Sequence, residues 1–567
     1  MRHCLLTATA LLLILAGCGG GNTSEKVAKN PNAMQTADPQ PKKKAKQTRR
    51  RRSRARAPAR FRKYQKASDQ ARKDLPDSAK DDDPDNSKPV GGSAGLSEEV
   101  AIERLGTAIV DSVELRPTLV VWLIDATASA SRLRERTVSA LGQFYSQVND
   151  KLKKKKSSNK LTTAIGAFGK DVQWIVEAPI ADGSAIADSL TKLTADSSGQ
   201  ELTFTAIKAA VDKFGSYVKK RHEVMVVVVT DEAGDDGAEA DETIQLAKKA
   251  SVLVYTIGVP SAFGRVSAVM QSVEGVGKAQ PKRRGKRSKR PASGKTNIVQ
   301  GPESRYSEFV NIPFWGNRRG VLIDAGFGPF ELERICRVSG GRFIAIRRQS
   351  FENAFPATVT DQWPTSNALV CNPETMRRYL PNYVSESRYQ KILSGNKAQM
   401  AVHKAAKFPI ENLPEPLLVF AKARTEAEFN RRLTRAQQLP AIVQPQVERL
   451  FSILRQGEAD RPKLTSPRWQ AAFDLAIGRV LAMKVRIDGY NTLLAAMKRG
   501  KKFQNPNSTQ WILQGSDKIE GNSSLTKSAA RARKYLQSVV SSHPNTPWAQ
   551  IAQMELETPI GWKWTEQ

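Results

Sequence analysis

Thr118-Leu-Val-Val-Trp-Leu-Ile124, followed at once by Asp125-Ala-Thr127-Ala-Ser129, is the stretch that decides the fold. An apolar run without alternation predicts a strand buried on both faces, as in sheets that carry helices on each side. Such sheets bind ligands just outside the carboxyl ends of their strands. A carboxylate and two hydroxyls spaced two residues apart at that point form a set of hard oxygen donors suited to Mg²⁺.

Two further pieces follow in order. Val224 to Val229 is a second apolar run, ended by Thr230-Asp231. Between the two runs, Glu201-Leu-Thr203-Phe-Thr205-Ala-Ile-Lys-Ala-Ala210 reads as a loop entering a helix. The spacing predicts a helix near Ser131 to Val148 and strands near Leu161 to Phe168 and Val172 to Val176, then helix, strand, helix. A strand at Val252 to Val259 comes next, and Gly340-Gly341 introduces a last strand, Arg342 to Ile346. Strand–helix alternation of this kind gives an α/β fold with a doubly wound, mostly parallel sheet.

The three motif pieces resemble the metal-ion-dependent adhesion site of von Willebrand factor A (VWA) domains, a Rossmann-like family. The resemblance implies a Mg²⁺ (or Mn²⁺) site built from Asp125, Thr127, Ser129, Thr205 and Asp231. Thr205 lies five residues before Ala210-Val211, where the family places its metal-site threonine; Thr203 is the alternative. By the same resemblance Thr127 and Ser129 ligate directly, and Thr205 directly or through water. Asp125 and Asp231 hold the hydroxyls and waters. A cation touched by few protein carboxylates stays electrophilic enough to accept a Glu or Asp from a partner protein. Three positions depart from the family pattern: Thr127 replaces a serine, and Phe204 and Glu232 stand where glycines are common. A site decayed into a hydrogen-bonded turn is the competing reading.

At the amino end, Arg2 and His3 precede an apolar core from Leu5 to Leu15, too short for a membrane span and suited to a signal peptide. Leu15-Ala-Gly-Cys18 resembles the lipobox of bacterial lipoproteins, which implies cleavage before Cys18 and its lipidation. Several acyl chains on one residue anchor a protein stably. Gly19 stands where an aspartate often retains such proteins at the inner membrane, so the expectation is a lipid-anchored envelope protein on the outer membrane.

The formal net charge of +33 invites a nucleic-acid reading, but its distribution argues otherwise. Lys42 to Lys66 holds fourteen Lys or Arg and no acid, and Lys278 to Lys295 holds nine, so two tracts carry 23 of the 33 charges. Neither shows the apolar periodicity of a folded element. The first belongs to a linker over 18–96, about 50 Å across as a coil, which near a membrane favours anionic lipid or an acidic polymer. The second sits in a basic insertion at about 260–328, which is expected to leave the sheet edge that carries Asp125 and Asp231. There it would speed the approach of an acidic partner, or remain a solvated loop. Nucleic acid is an unfavoured partner for an exported, anchored chain.

Cys336 and Cys371 are the thiols left after processing, and an envelope location permits a bridge between them. Cys336 also lies on an apolar stripe with Leu332 and Ile335, which fits a buried thiol equally well. Catalytic look-alikes fail on context. Gly91-Gly-Ser93-Ala-Gly95 follows linker rather than a strand. Gly277-Lys278 lacks the flanking residues of a P-loop, and the histidines are scattered. No active site is expected.

Beyond the VWA-like part at 97–350, residues 373–567 read as an all-α domain. Ser466-Pro467 starts a helix on which Trp469, Ala472, Phe473, Ala476, Val480 and Met483 recur at helical spacing. A second helix over Leu525 to Val540 breaks at His543-Pro544, and Thr546-Pro547 restarts the chain into Trp548 to Leu556. The hairpin resembles one tetratricopeptide-like unit, without a repeating period. The ending Gly561-Trp562-Lys563-Trp564 suits either a partner or glycan contact or tryptophans that plug the helical core. From about Leu96 onward the chain resembles large exported VWA proteins of planctomycete bacteria. The resemblance rests on Val121-Trp122, Gly301-Pro-Glu303, Gly326-Phe-Gly-Pro-Phe330, Pro467-Arg-Trp-Gln470 and the Trp548 to Trp564 ending.

The anchor reading is tested by Cys18→Ser. The expected product is an uncleaved precursor or a mislocalised protein, seen by membrane fractionation and mature size; an unchanged size and distribution would remove the lipoprotein reading.

Overall fold

The computed structural model describes residues 97–154, 159–264, 268–271, 295–298, 302–313, 323–346, 373–408, 410, 415–500 and 503–567. The signal segment, Cys18, the linker with Lys42 to Lys66, nearly all of Lys278 to Lys295, and Cys371 lie outside the described residues.

The amino-terminal part is an α/β sandwich. Helix α1 (Glu98–Leu115) leads into β1 (Thr118–Asp125), α2 (Ser131–Lys154), β2 (Leu161–Phe168), β3 (Val172–Ile180), α3 (Gly183–Leu190) and α4 (Thr203–Phe214). Strand β4 (Glu223–Thr230), α5 (Ala240–Ala250) and β5 (Leu253–Gly258) follow. A short hairpin of β6 (Ala268–Gln271) and β7 (Lys295–Ile298) precedes α6 (Phe330–Ser339) and β8 (Phe343–Ala345). The sheet runs β3-β2-β1-β4-β5-β8, with only the β2–β3 pair antiparallel. Every residue of β1 is buried, as its unbroken apolar run requires. Alternation sends Val120, Trp122 and Ile124 into the layer under α1 and α2, and Leu119, Val121 and Leu123 into the layer under α4, α5 and α6. The indole of Trp122 stays satisfied by donating to Tyr145 Oη at 2.8 Å. Gly340, at φ +94°, ends α6 in a left-handed turn, and a Cβ on Gly341 would come 2.0 Å from Val254 O, so the pair fixes how β8 enters the sheet.

Helix α1 was not expected from the sequence, although Ile102, Leu105, Ile109 and Val113 form its buried stripe. Cys336 is a buried free thiol, its Sγ 3.3 Å from Thr256 Oγ1 and its pKa pushed up to about 12 by burial. Among the described residues no helix is long and apolar enough to cross a membrane.

The carboxyl-terminal region is helical: α7 (Glu386–Ser394), α8 (Lys397–Ala406), α9 (Glu426–Arg455), α10 (Pro467–Lys498), α11 (Ser523–Ser542) and α12 (Pro547–Glu557). It is not all-α. Strands β9 (Val419–Ala421), β10 (Gln510–Ser516) and β11 (Gly561–Glu566) form an antiparallel sheet in the order β11-β10-β9. The final tryptophans belong to that sheet and close on α10, Trp562 Nε1 donating to Arg486 O at 2.9 Å and Trp564 Nε1 to Leu493 O at 3.2 Å. Helix α10 is buried nearly all round, which marks it as the axis of this region.

The described residues at the two ends of the insertion after β5 pack into the fold. Its neck closes by backbone bonds, Ser261 N to Phe327 O at 2.8 Å and Phe263 N to Ile323 O at 2.8 Å. Phe263, Val310, Ile312, Ile323 and Phe327 then share one core with Trp469, Phe473 and Trp548. At its centre Arg468, on α10, donates to Glu303 at 2.8 Å and to Glu308, all three side chains being buried. Tyr389 Oη donates to the other oxygen of Glu308 at 2.9 Å. The stretches around Glu303 and around Arg468 are therefore the two sides of one ion cluster.

Removing one partner of a buried cluster strands the remaining charges at a cost of about 3–5 kcal/mol. Arg468→Ala is expected to lose that much in denaturant unfolding. Lys484→Ala, which breaks a half-buried pair with Asp488 at 3.0 Å, should cost no more than about 1 kcal/mol. Equal losses for the two variants would refute the clamp.

Candidate metal centre

Three loops at the carboxyl edge of the sheet build the site: 125–130 after β1, 201–203 before α4, and 231–236 after β4. Asp125, 1% exposed, closes β1 and turns its carboxylate back on its own loop. Its Oδ1 accepts from Thr127 N at 2.8 Å and from Thr127 Oγ1 at 2.6 Å, and Thr127 Oγ1 lies 3.0 Å from Ser129 Oγ. Arg134 in α2 ties the loop from below, donating to Asp125 O at 3.1 Å and Thr127 O at 3.0 Å. The 231–236 turn holds the 201–203 loop across the gap. Asp235 accepts from Glu201 N at 2.9 Å, and its own N–H donates to Glu201 O at 2.8 Å. Asp236 accepts the amides of Phe204 at 3.0 Å and Thr205 at 2.7 Å, capping α4 in place of a side chain at its N-cap.

Asp125, Thr127, Ser129 and Asp231 come together as the sequence implied. Thr205 does not join them: it is exposed on the first turn of α4 with its amide on Asp236. Thr203, two residues earlier and fully buried, is the threonine enclosed between the loops, its side chain lying against Gly234. A Cβ at Gly234, which sits at φ +85°, would come 2.7 Å from Thr203 Oγ1.

A residue not expected from the sequence completes the group. Carboxylate oxygens of Asp125, Glu201 and Asp231 all lie within 4.8 Å of one another, and all three residues are buried. Thr230 Oγ1 sits between two of them, 3.0 Å from Asp125 Oδ2 and hydrogen-bonded to Glu201 Oε1. Burial, then the charges of Asp125 and Asp231, push the Glu201 carboxyl well above its usual range, with the Thr230 hydroxyl working against them. Burial, then Asp125 and Glu232, do the same to Asp231, opposed by its own backbone bond and the Ser129 hydroxyl.

The donor set fits a hard divalent cation. Thr203 Oγ1 and Asp231 Oδ1 are buried side-chain oxygens with no hydrogen-bond partner among the described residues. Buried polar atoms are ordinarily paired, so two orphans in adjoining loops call for a partner outside the protein. Oxygen donors alone, with no histidine or thiol in the group, select Mg²⁺, Mn²⁺ or Ca²⁺ over Zn²⁺. Two histidines have contacts elsewhere: His543 Nδ1 lies 2.9 Å from Tyr379 Oη, and the half-buried His222 has its Nδ1 3.2 Å from Lys220 O.

Residues 120–283 match the family of the von Willebrand factor type A domain, so the α/β part is a VWA domain followed by a helical region. An aerotolerance-related membrane protein from Bacteroides fragilis NCTC 9343 is similar at 13% identity, covering 43% of this chain and 99% of that one, with a TM-score of 0.23. BatB from Bacteroides thetaiotaomicron is similar at 13% identity over 43% of this chain and 98% of its own, with a TM-score of 0.25. No curated protein matches.

A carboxyl group raised in the folded state binds its proton more tightly than in the unfolded chain. Its contribution is therefore full below the unfolded pKa, about 4, and is lost as pH rises toward the folded value. In chelator, stability should fall with rising pH above about 4.5, and Mg²⁺ or Mn²⁺ should restore it at neutral pH. Asp231→Asn should remove one proton from this slope, about 1.4 kcal/mol per pH unit. Identical slopes for the chelated parent and variant would show that Asp231 carries no such proton.

Proposed function

We propose that this chain is a lipid-anchored binding protein of the cell envelope, on the outer membrane, that captures a protein partner through a divalent cation in its VWA domain. The observation that carries this reading is the pair of orphaned buried oxygens, Thr203 Oγ1 and Asp231 Oδ1, in the loops that adjoin Asp125, Thr127 and Ser129. In it, Thr127, Ser129 and Thr203 hold Mg²⁺ or Mn²⁺, and Asp125 and Asp231 fix the hydroxyls and carry the balancing charge. The cation supplies a Lewis-acidic point that a Glu or Asp of the partner can ligate. An acidic partner surface also suits the basic tract from Lys278 to Lys295, whose charge would speed encounter. The reading assigns the chain no reaction.

A scaffold working through the helical region is the second reading. The shared core of insertion and helices favours it, because that packing fixes the region to the VWA domain independently of any cation.

Crosslinked pull-down from envelope, with and without chelator, separates the two. Capture is expected to need the cation and to be lost in Asp125→Ala, which should also abolish Mn²⁺ binding. Capture that survives both chelator and Asp125→Ala would contradict a metal-dependent site and support the scaffold.

A further inference from the structure

Glu201 has no counterpart in the donor set that the VWA resemblance implies, yet it is buried with its carboxylate among the other donors. Its place is fixed by more than sequence proximity. The backbone of Glu201 is bonded in both directions to Asp235, so the loop is tied to the turn that begins at Asp231. With the main chain held, only rotation of the Glu201 side chain can move its carboxylate. Carboxylate oxygens of the three residues lie within 4.8 Å of one another, close enough for one cation to reach Glu201 together with the other donors.

Counting donors shows what the extra carboxylate does. Three hydroxyls (Thr127, Ser129, Thr203) and three carboxylates (Asp125, Glu201, Asp231) are six oxygen-bearing side chains. With Asp125 and Asp231 bracing the hydroxyls, Thr127, Ser129 and Thr203 fill half of the octahedron about Mg²⁺, and the Glu201 carboxylate can take a further position. A site built only from the other five would leave a position for a partner's carboxylate; this chain brings a carboxylate of its own. Two of the donors around Glu201, the Thr203 hydroxyl and Asp231 Oδ1, have no protein partner among the described residues.

We propose that Glu201 is an internal ligand that caps the cation in the position an incoming partner's carboxylate would take, so that a partner must displace Glu201 to bind. The inference rests on the reading that a divalent cation binds here, and it adds regulation to that site. Self-capping tightens the hold on the ion, blunts its electrophilicity and makes capture selective for partners that can compete with a tethered carboxylate at high local concentration.

The test uses Mn²⁺ alone on the full mature chain, comparing the parent with Glu201→Gln and Glu201→Ala. Thermal unfolding in chelator checks that each variant folds, and Gln retains the size of Glu for this purpose. Titration followed by electron paramagnetic resonance should show at least tenfold weaker Mn²⁺ binding in both variants. Pulsed measurements of bound water should count more inner-sphere waters in Glu201→Ala than in the parent. Acetate should enter the Mn²⁺ shell in Glu201→Ala and be excluded from the parent. Equal affinities and equal water counts across the three proteins would overturn the internal ligand while leaving the metal site intact. Acetate entering the parent as readily as the variant would overturn the cap. No Mn²⁺ binding by any of them would overturn both this inference and the function proposed above.

Discussion

Placing Asp125, Glu201 and Asp231 within 4.8 Å of one another in buried positions is the constraint on which the rest of the site depends. Like charges that close cannot all stay ionised away from water, so the group must take up protons or a cation. The protein commits three separate loops to this arrangement and braces each one. Arg134 holds the 125–130 loop from behind, and Asp235 and Asp236 grip the 201–205 segment through four backbone hydrogen bonds. Bracing of this sort fixes donor positions before an ion arrives, which lowers the ordering cost of binding it.

The second fixed point is the Arg468 cluster. Through Glu303 and Glu308 it ties the excursion that leaves β5 to the central helix of the carboxyl-terminal region. The aromatic packing around it, with Phe263 and Trp548 centroids 4.8 Å apart, makes Phe263, Val310, Ile312, Ile323 and Phe327 of the insertion part of a second core. Each fully buried phenylalanine in such a core contributes about 1.5–3 kcal/mol. A second set of ion pairs, Arg305 and Arg334 with Glu331 and Asp241, continues from the insertion to the first turn of α5. The helix that follows the Asp231 loop is thus anchored to the same assembly that carries the helical region.

Much of this was legible in the chain. The runs at Thr118–Ile124 and Val224–Val229 are continuous because both faces of β1 and β4 are covered, and that pattern alone carries the sheet type. Asp125, Thr127, Ser129 and Asp231 follow from their places at strand ends. What could not be read was set by contacts between distant residues. Thr203 and Thr205 differ by two positions in a helix start, and only the Asp236 cap and the approach of Gly234 decide which is enclosed. Glu201 looked like an ordinary loop acid; its proximity to Asp125 and Asp231 comes from the mutual bonds with Asp235, 34 residues away. The β9–β11 sheet escaped notice because a three-residue strand such as Val419–Ala421 has too few positions to show alternation. The Gly-Pro-Glu and Pro-Arg-Trp stretches stood out as features of resemblance, and their pairing through Glu303 and Arg468 across 165 residues is visible only in three dimensions.

Anomalous diffraction from crystals of the chain grown with Mn²⁺ would locate the ion directly. One strong manganese peak is expected in the VWA domain, within bonding distance of Thr203 Oγ1 and of a Glu201 oxygen and beside Asp125 and Asp231. No peak there at saturating Mn²⁺, with the three carboxylates still clustered, would contradict the metal site.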